Sequence, residues 1–365
     1  MTYRVLCITD RSDRPETELF IGLKKAGVDI SVIGNPTGKH YHRLKESGIV
    51  THDLILKSRF DVKGIRFIRK LLTQNHFDIL YCFNNPAASN ALIASRGMAF
   101  KIITYRGTIG NVSFLSPASW TTHLHPRVNR IVCVSNAVRD FLMHMNFLWM
   151  KLPANHALTI YKGHDISWYQ TPPGNLSQFN IPAQAFTVGF AGRNRPHKGI
   201  DFLLKSAQWL PQDAPIHFIL MGKLDDDAHL RNIAQNSPLK DRIHFTGFRN
   251  DAPAIAAACD AFIMPSTKRE GLSRAVIEAM SCGTVPIVTD VGGLPEMVVQ
   301  RESGLIIPPL NSAAIAQAIL ELYQNPELKK KIGENARRRI QTHFNIETSV
   351  EKTRQLFEEL LIIST

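Results

Sequence analysis

The chain has 365 residues, 44% of them hydrophobic and 20% charged, which excludes a disordered polypeptide and favours two domains of about 150–200 residues over one. The formal net charge is +12, and residues 1–183 carry nearly all of the excess, with 22 Lys and Arg against 11 Asp and Glu. That asymmetry points to an anionic partner for the first half (an acidic membrane surface, a phosphorylated acceptor or nucleic acid), the alternative being a merely soluble basic surface.

Met1 to Asp10 reads as a strand at once, with charged residues directly after it, so no signal peptide is expected ahead of it. β-rich runs follow at Ile30–Ile33, Ile79–Phe83, Lys101–Tyr105, Arg130–Val134 and Leu158–Tyr161. Helix-period segments lie among them at Pro15–Ala26, Lys63–Gln74, Ala87–Ser95 and Asn136–Met143. Alternating strand and helix predicts a parallel sheet covered on both faces. The longest apolar stretch, Phe141–Met150, is broken by His144 and Asn146 and is far short of the ~20 residues a membrane span needs. Five cysteines, none in a CxxC pair, argue against a disulfide framework or a zinc site and for buried thiols in a reducing compartment.

Residues 166–184, rich in Pro, Gly, Ser, Asn and Gln, break the rhythm and read as a linker. The alternation then restarts. Strands are expected at Phe186–Ala191, His217–Met221, Arg242–Phe245, Ala261–Met264, Val285–Val288 and Leu305–Ile307, and a helix at Ile200–Trp209. Long helices are expected at Ala313–Gln324 and Pro326–His343, and an amphipathic one at Ile346–Leu361. Residues 1–165 and 185–345 are thus two doubly wound α/β domains, and residues 346–365 a C-terminal helix expected to cross back to the first. Ligands of such sheets bind beyond the carboxyl ends of the strands, so the residues after each strand are the ones to read for chemistry.

After Phe186–Ala191 comes Gly192-Arg193-Asn194-Arg195-Pro196-His197-Lys198-Gly199, then a helix. Glycine lets backbone approach a ligand, a helix start offers free N–H groups, Arg193 has a fork for phosphate oxygens and Lys198 a point charge. A solvated basic loop is the bland reading. After Ala261–Met264 comes Pro265 to Glu278, with Glu270 in the loop, Gly271, Leu272 and Ser273 expected to open a helix, and Glu278 among its apolar residues. A carboxylate there needs a partner or a cleft; alone, it would be read as a surface glutamate. The turn Asp290-Val291-Gly292-Gly293-Leu294-Pro295-Glu296 completes the set.

GRNRPHKG, then EGLSRAVIE, then VGGLPEMV resemble the C-terminal domain of glycosyltransferase family 4 over residues 186–345, while IVCVSNAVRDFL and TIYKGHD resemble the end of its N-terminal domain. The resemblance implies a GT-B fold, two Rossmann-like domains facing a central cleft, the first binding the acceptor and the second a nucleotide-sugar donor. It implies transfer with retention of anomeric configuration and no cofactor or metal. On matching positions it implies that Arg193 and Lys198 hold the donor diphosphate, Glu278 binds the ribose hydroxyls and Glu270 lies beside the transferred sugar. The amides of Gly271, Leu272 and Ser273, with Gly192, would contact sugar or phosphate. Pre-placed cations and helix N–H groups stabilise the charge that develops on a departing nucleoside diphosphate.

The first half departs from the family pattern. Thr9 to Pro15 is polar and charged where many relatives have a glycine-rich loop, and Arg106-Gly107-Thr108 stands where many have a histidine. Arg106 and Gly107 are therefore candidates for donor phosphate or an anionic acceptor group. Asn84, after the strand ending at Phe83, is a third candidate or a helix cap. His123 and His125 are read as structural, and Asp225-Asp226-Asp227 as an acidic helix cap rather than a metal-binding carboxylate pair. Lys63, Arg66 and Lys70 share one helical stripe and Ile65, Ile68 and Leu72 another. With the aromatic and aliphatic residues of Phe141–Met150 beside Lys151, they suit an anionic bilayer, the alternative being an ordinary packed helix and a core segment.

The expected function is a cytoplasmic glycosyltransferase, peripheral on the inner face of the membrane, acting on a saccharide or lipid-linked acceptor in polysaccharide or lipopolysaccharide synthesis. The alternatives are a GT-B-fold sugar-nucleotide epimerase and a two-lobed non-enzymatic protein binding anions or nucleic acid. No nucleic-acid module stands out, and without a GxGxxG after any expected strand a dinucleotide oxidoreductase is disfavoured.

Overall fold

A computed structural model of the protein describes residues 3–170 and 172–362. The chain divides into two units, residues 1–163 with 344 onward, and residues 164–343.

In the first unit the strands are β1 (Arg4–Ile8), β2 (Asp29–Gly34), β3 (Val50–Asp53), β4 (Ile79–Cys82), β5 (Lys101–Arg106) and β6 (Val128–Cys133), then a two-stranded hairpin β7 (Asn146–Phe147) and β8 (Met150–Lys151), and β9 (Ala157–Thr159). The helices are α1 (Arg14–Lys25), α2 (Tyr41–Glu46), α3 (Val62–Gln74), α4 (Asn85–Ala94), α5 (Pro117–Trp120) and α6 (Asn136–Met143). The sheet runs β3-β2-β1-β4-β5-β6-β9, parallel throughout. Strand order therefore reverses between β1 and β4. These central strands are buried along nearly their whole length because helices cover both faces, which is why they read as unbroken apolar runs.

The second unit holds β10 (Phe186–Ala191), β11 (Ile216–Met221), β12 (Ile243–Gly247), β13 (Ala261–Met264), β14 (Val285–Thr289) and β15 (Leu305–Ile307). Its helices are α7 (Ile200–Ser206), α8 (Ala228–Gln235), α9 (Ala252–Ala257), α10 (Arg274–Ser281), α11 (Leu294–Met297), α12 (Ser312–Gln324) and α13 (Pro326–His343). Its sheet runs β12-β11-β10-β13-β14-β15, again parallel, and reverses between β10 and β13. The last helix, α14 (Ile346–Ile362), belongs with the first unit. Its Leu356, Phe357 and Leu360 join the core that contains Tyr3 and Tyr81, and Phe357 meets both tyrosines edge to face.

Several expected segments change shape. Of the linker, residues Ile166–Tyr169 and Leu176–Phe179 form 3-10 turns, and Cys282 Sγ donates to Tyr169 O at 3.4 Å, so the first turn packs on the second unit. Residues 141–150 are not one helix and only Leu142 of them is core: α6 ends at Met143 and the hairpin lifts Leu148 and Trp149 into solvent, Trp149 being 83% exposed. The edge strand β3 was not expected, since its half-exposed sequence VTHD offers no apolar run. All five cysteines are free, four of them buried.

Candidate active site

The loops after β10 and β13 leave neighbouring strands at the reversal of strand order, the place where doubly wound sheets receive ligands. The first loop passes through a 3-10 turn, Pro196–Lys198, and Gly199 at φ 66° before α7 begins. It is stitched to the second by Thr267 N donating to His197 O at 2.8 Å. Gly199 is required twice: its φ is left-handed, and a Cβ there would lie 2.0 Å from Pro265 O.

This stitching brings Lys198 to Glu270. Lys198 Nζ lies 2.6 Å from Glu270 Oε1, with the glutamate buried and the lysine nearly so. Ser266 Oγ donates to the same carboxylate oxygen at 2.7 Å, and Lys198 also reaches Met264 Sδ at 3.8 Å. Thr289 Oγ1, at the end of β14, donates to Ser266 O at 2.6 Å and holds that loop in place. The third motif joins through Gly293 N, which donates to Glu270 O at 3.2 Å. Three segments far apart in sequence therefore converge on Glu270. The residue before it, Arg269, is held at φ 65°, a conformation costly for a side-chain-bearing residue and typical of positions fixed by a site.

The other candidates are placed differently. Gly192 lies between, its N–H bonded to Met221 O at 3.0 Å. Arg193 is exposed on the first loop. Gly271 to Ser273 do not open the helix as expected: α10 begins at Arg274 with Ser273 as its N-cap, because Ser273 keeps an extended backbone. Glu278 sits within α10, its side chain mostly covered, with Arg274 Nε at 3.2 Å from Oε1. Asp227 caps α8, accepting from His229 N at 2.9 Å and Leu230 N at 3.1 Å, and binds Asn194 Nδ2 at 2.7 Å. These bonds hold its carboxyl below the usual range, the one from Asn194 most strongly. Sequence reasoning missed Ser266 and Thr289, whose only signal was a hydroxyl directly beyond a strand and another at a strand's end.

In the first unit the reversal of strand order falls between β1 and β4, and Thr9, Asp10, Arg11, Glu16, Phe83 and Asn84 line a pocket there. Asn84 caps α4 by accepting from Ala87 N at 2.8 Å while also lining that pocket. Arg106 is buried, its guanidinium donating to Thr108 O at 2.9 Å and to Gly110 O, so it braces its own loop beside Gly107. His123 is buried against Thr104 Oγ1 at 3.0 Å, and burial, with Arg106 and Arg59 nearby, pushes it down to about 3. His125 accepts from Arg127 N at 3.1 Å.

The sequence reading passed over Glu16. It is buried, accepts from Thr9 Oγ1, and lies 4.0 Å from Lys162 Nζ, which binds Asp13 at 2.8 Å. Burial pushes its carboxyl up to about 7 against the pull of Lys162. Among the described residues no group of three or more His, Cys, Asp or Glu is arranged to hold a metal ion.

Two Rossmann-type units, the second with a basic loop and two glutamates at its ligand-binding edge, define the GT-B class of glycosyl-transfer folds. The chain belongs to the glycosyltransferases: residues 17–168 match Glycosyltransferase Family 4, and residues 175–339 match Glycosyl transferases group 1. It is 32% identical over 314 residues to the putative glycosyltransferase YtcC of Bacillus subtilis, covering 80% of this chain and 74% of that one. It is 30% identical over 240 residues to the uncharacterized glycosyltransferase MJ1069 of Methanocaldococcus jannaschii, covering 64% of this chain but only 59% of that protein's length. It is 23% identical over 321 residues to the Escherichia coli UDP-Gal:alpha-D-GlcNAc-diphosphoundecaprenol alpha-1,3-galactosyltransferase, covering 83% and 80%. Among solved structures it is similar to a Rickettsia africae glycosyltransferase, with TM-score 0.83 and 18% identity over 99% of both chains. It is also similar to Anabaena HepE in complex with UDP, with TM-score 0.78 and 22% identity over 98% of this chain and 100% of that one.

Proposed function

We propose that the protein transfers a sugar from a nucleoside-diphosphate sugar, with retention of anomeric configuration, to a saccharide or lipid-linked acceptor in the synthesis of a cell-surface glycan. The single observation that carries the reading is the Lys198–Glu270 pair at the meeting of three loops. Cleavage of the bond between sugar and diphosphate leaves negative charge on the departing phosphate. Lys198 has N–H donors beyond the one on Glu270, and exposed Arg193 supplies a fork from the same loop. In this reading those two cations meet the diphosphate in place of a divalent ion, and no cofactor takes part. Glu270 accepts hydroxyls of the transferred sugar, the stretch Gly271–Ser273 offers backbone amides, and Glu278 takes the ribose.

The UDP-bound neighbour and the UDP-galactose named for the Escherichia coli relative make UDP the first nucleotide to test, and that relative's diphosphoundecaprenol acceptor supports a lipid-linked acceptor at the inner face of a membrane. None of the described helices is long and apolar enough to cross one. The test is calorimetry with UDP, GDP and ADP against the parent, Lys198→Ala and Glu278→Ala, followed by assignment of the product anomer by NMR. If both variants bind the preferred nucleotide as tightly as the parent, the donor site is wrong. If the nucleotide sugar alone is converted to an epimer, the protein is an epimerase.

A further inference from the structure

Between Leu54 and Arg139 the chain carries twelve Lys and Arg against two acids, Asp61 and Asp78. Both acids are tied to backbone amides, and two charges leave a large excess of cations. Asp61 is the N-cap of α3, accepting from Lys63 N and Gly64 N at 3.1 Å each, and Asp78 binds Arg4 N at 2.8 Å at the start of β4. On α3, Lys63, Arg66, Phe67 and Lys70 recur at helical spacing on the exposed face, while Ile68, Leu71 and Leu72 are buried beneath.

A solvated basic helix would carry polar residues between its cations. This one carries Phe60, 59% exposed, just before it and Val62, 58% exposed, at its first position. Phe60 also lines a groove whose apolar lining is completed by Leu92 and Ile93 of α4 and Trp120 of α5, with Ser89, Thr121 and His125 among its polar lining and Arg96 and Arg127 beside them. The groove encloses about 390 Å³. Its lining is fixed: Arg127 donates to Leu92 O at 3.2 Å and Met98 O at 3.0 Å, and Arg69 donates to Ala94 O and Arg96 O at 2.9 Å each. Leu115, 68% exposed, precedes α5, and Arg59 donates to Ala118 O of that helix at 3.2 Å.

We propose that this face of α3, α4 and α5 docks on an anionic phospholipid bilayer, with lysines and arginines at the headgroups and the groove receiving an acyl chain. Clustered cations alone fit nucleic acid equally well, but exposed valine, isoleucine and leucine have no use on a phosphate backbone and fit the interface of a bilayer. The proposal deepens the lipid-linked acceptor reading and rests on it for its purpose, whereas the binding itself is measured without donor or acceptor.

The test is flotation of the full chain with vesicles of phosphatidylcholine alone and of phosphatidylcholine with phosphatidylglycerol, at low and high salt. The parent should bind only the anionic vesicles, and salt should weaken that binding. Lys63→Gln/Arg66→Gln/Lys70→Gln should lower partitioning about a hundredfold, as three headgroup contacts of about fivefold each multiply to. Phe60→Ser/Ile93→Ser should remove the fraction that survives high salt. All changes fall at the surface, so UDP affinity and melting should stay at parental values, which separates failure of this proposal from failure of the donor-site reading. Equal binding to neutral and anionic vesicles, or no binding, overturns it. So does loss of binding in Trp149→Ser with the α3 variants unaffected, which assigns the hairpin instead, or protein held by a short single-stranded RNA in preference to vesicles.

Discussion

Lys198 and Glu270 are bonded at 2.6 Å although 72 residues separate them, and the carboxylate has the Ser266 hydroxyl as its second donor. Replacing Lys198 by Ala leaves a buried carboxylate with that hydroxyl and no cation. Losing one partner of a covered pair costs about 3 kcal/mol of stability, and losing a cation at a developing phosphate charge costs on the order of 10²–10³ in rate. Lys198→Met/Glu270→Gln should regain most of the stability, measured by urea unfolding, and none of the rate of nucleotide release. A double variant as active as the parent would show that the pair serves only the fold.

Glu278 tests nucleotide binding apart from chemistry. Its pair with Arg274, exposed and one helical turn away, is an arrangement worth about 0.3–0.5 kcal/mol. Glu278→Gln keeps the shape and removes the charge that ribose hydroxyls would donate to. Affinity for the preferred nucleoside diphosphate should fall about tenfold while the urea midpoint stays put. A parental Kd would remove Glu278 from the site.

Glu16 should make the protein lose stability as pH rises. Its carboxyl is raised from the ordinary 4.5 to about 7 by burial, so between those values the folded chain holds a proton that the unfolded chain has released. Its contribution is therefore full below pH 4.5 and lost as pH climbs through 7, a swing on the order of 3 kcal/mol. Glu16→Gln keeps an acceptor for Thr9 and cannot ionise. Unfolding free energies between pH 5 and 8 should decline less in the variant than in the parent. Parallel curves would mean that Lys162 keeps Glu16 ionised throughout.

Much of this was legible in sequence because parallel strands buried on both faces write themselves as apolar runs, as Phe186–Ala191 and Ala261–Met264 did. Position directly after a strand then singles out Lys198 and Glu270. What stayed hidden depended on partners in space. Ser266 is an unremarked serine until the fold sets its hydroxyl 2.7 Å from Glu270. Glu16 sits in the first turn of α1, where acidic residues are commonplace; only the cover of Thr9, Lys162 and the strands beneath makes it unusual. Arg106 was legible as a basic residue after a strand, but its bonds to Thr108 O and Gly110 O follow from a loop that turns back on itself.

Gly199 offers a test of the loop that carries Lys198. Gly199→Ala adds a methyl group at φ 66° and aims it at Pro265 O, 2.0 Å away, in the loop that leads to Glu270. Gly27, at φ 86° with nothing within 4 Å, separates the two effects. Gly27→Ala should cost only the left-handed backbone penalty of about 1–2 kcal/mol. Gly199→Ala should cost more than that in urea unfolding, because backbone cannot give way as a flexible side chain can. Relief of the clash requires the two loops to part, which lengthens the Lys198–Glu270 contact, so nucleoside-diphosphate binding should weaken in Gly199→Ala and stay parental in Gly27→Ala. Equal stability losses with unchanged binding in both would mean that the close approach of the two loops does not position Lys198.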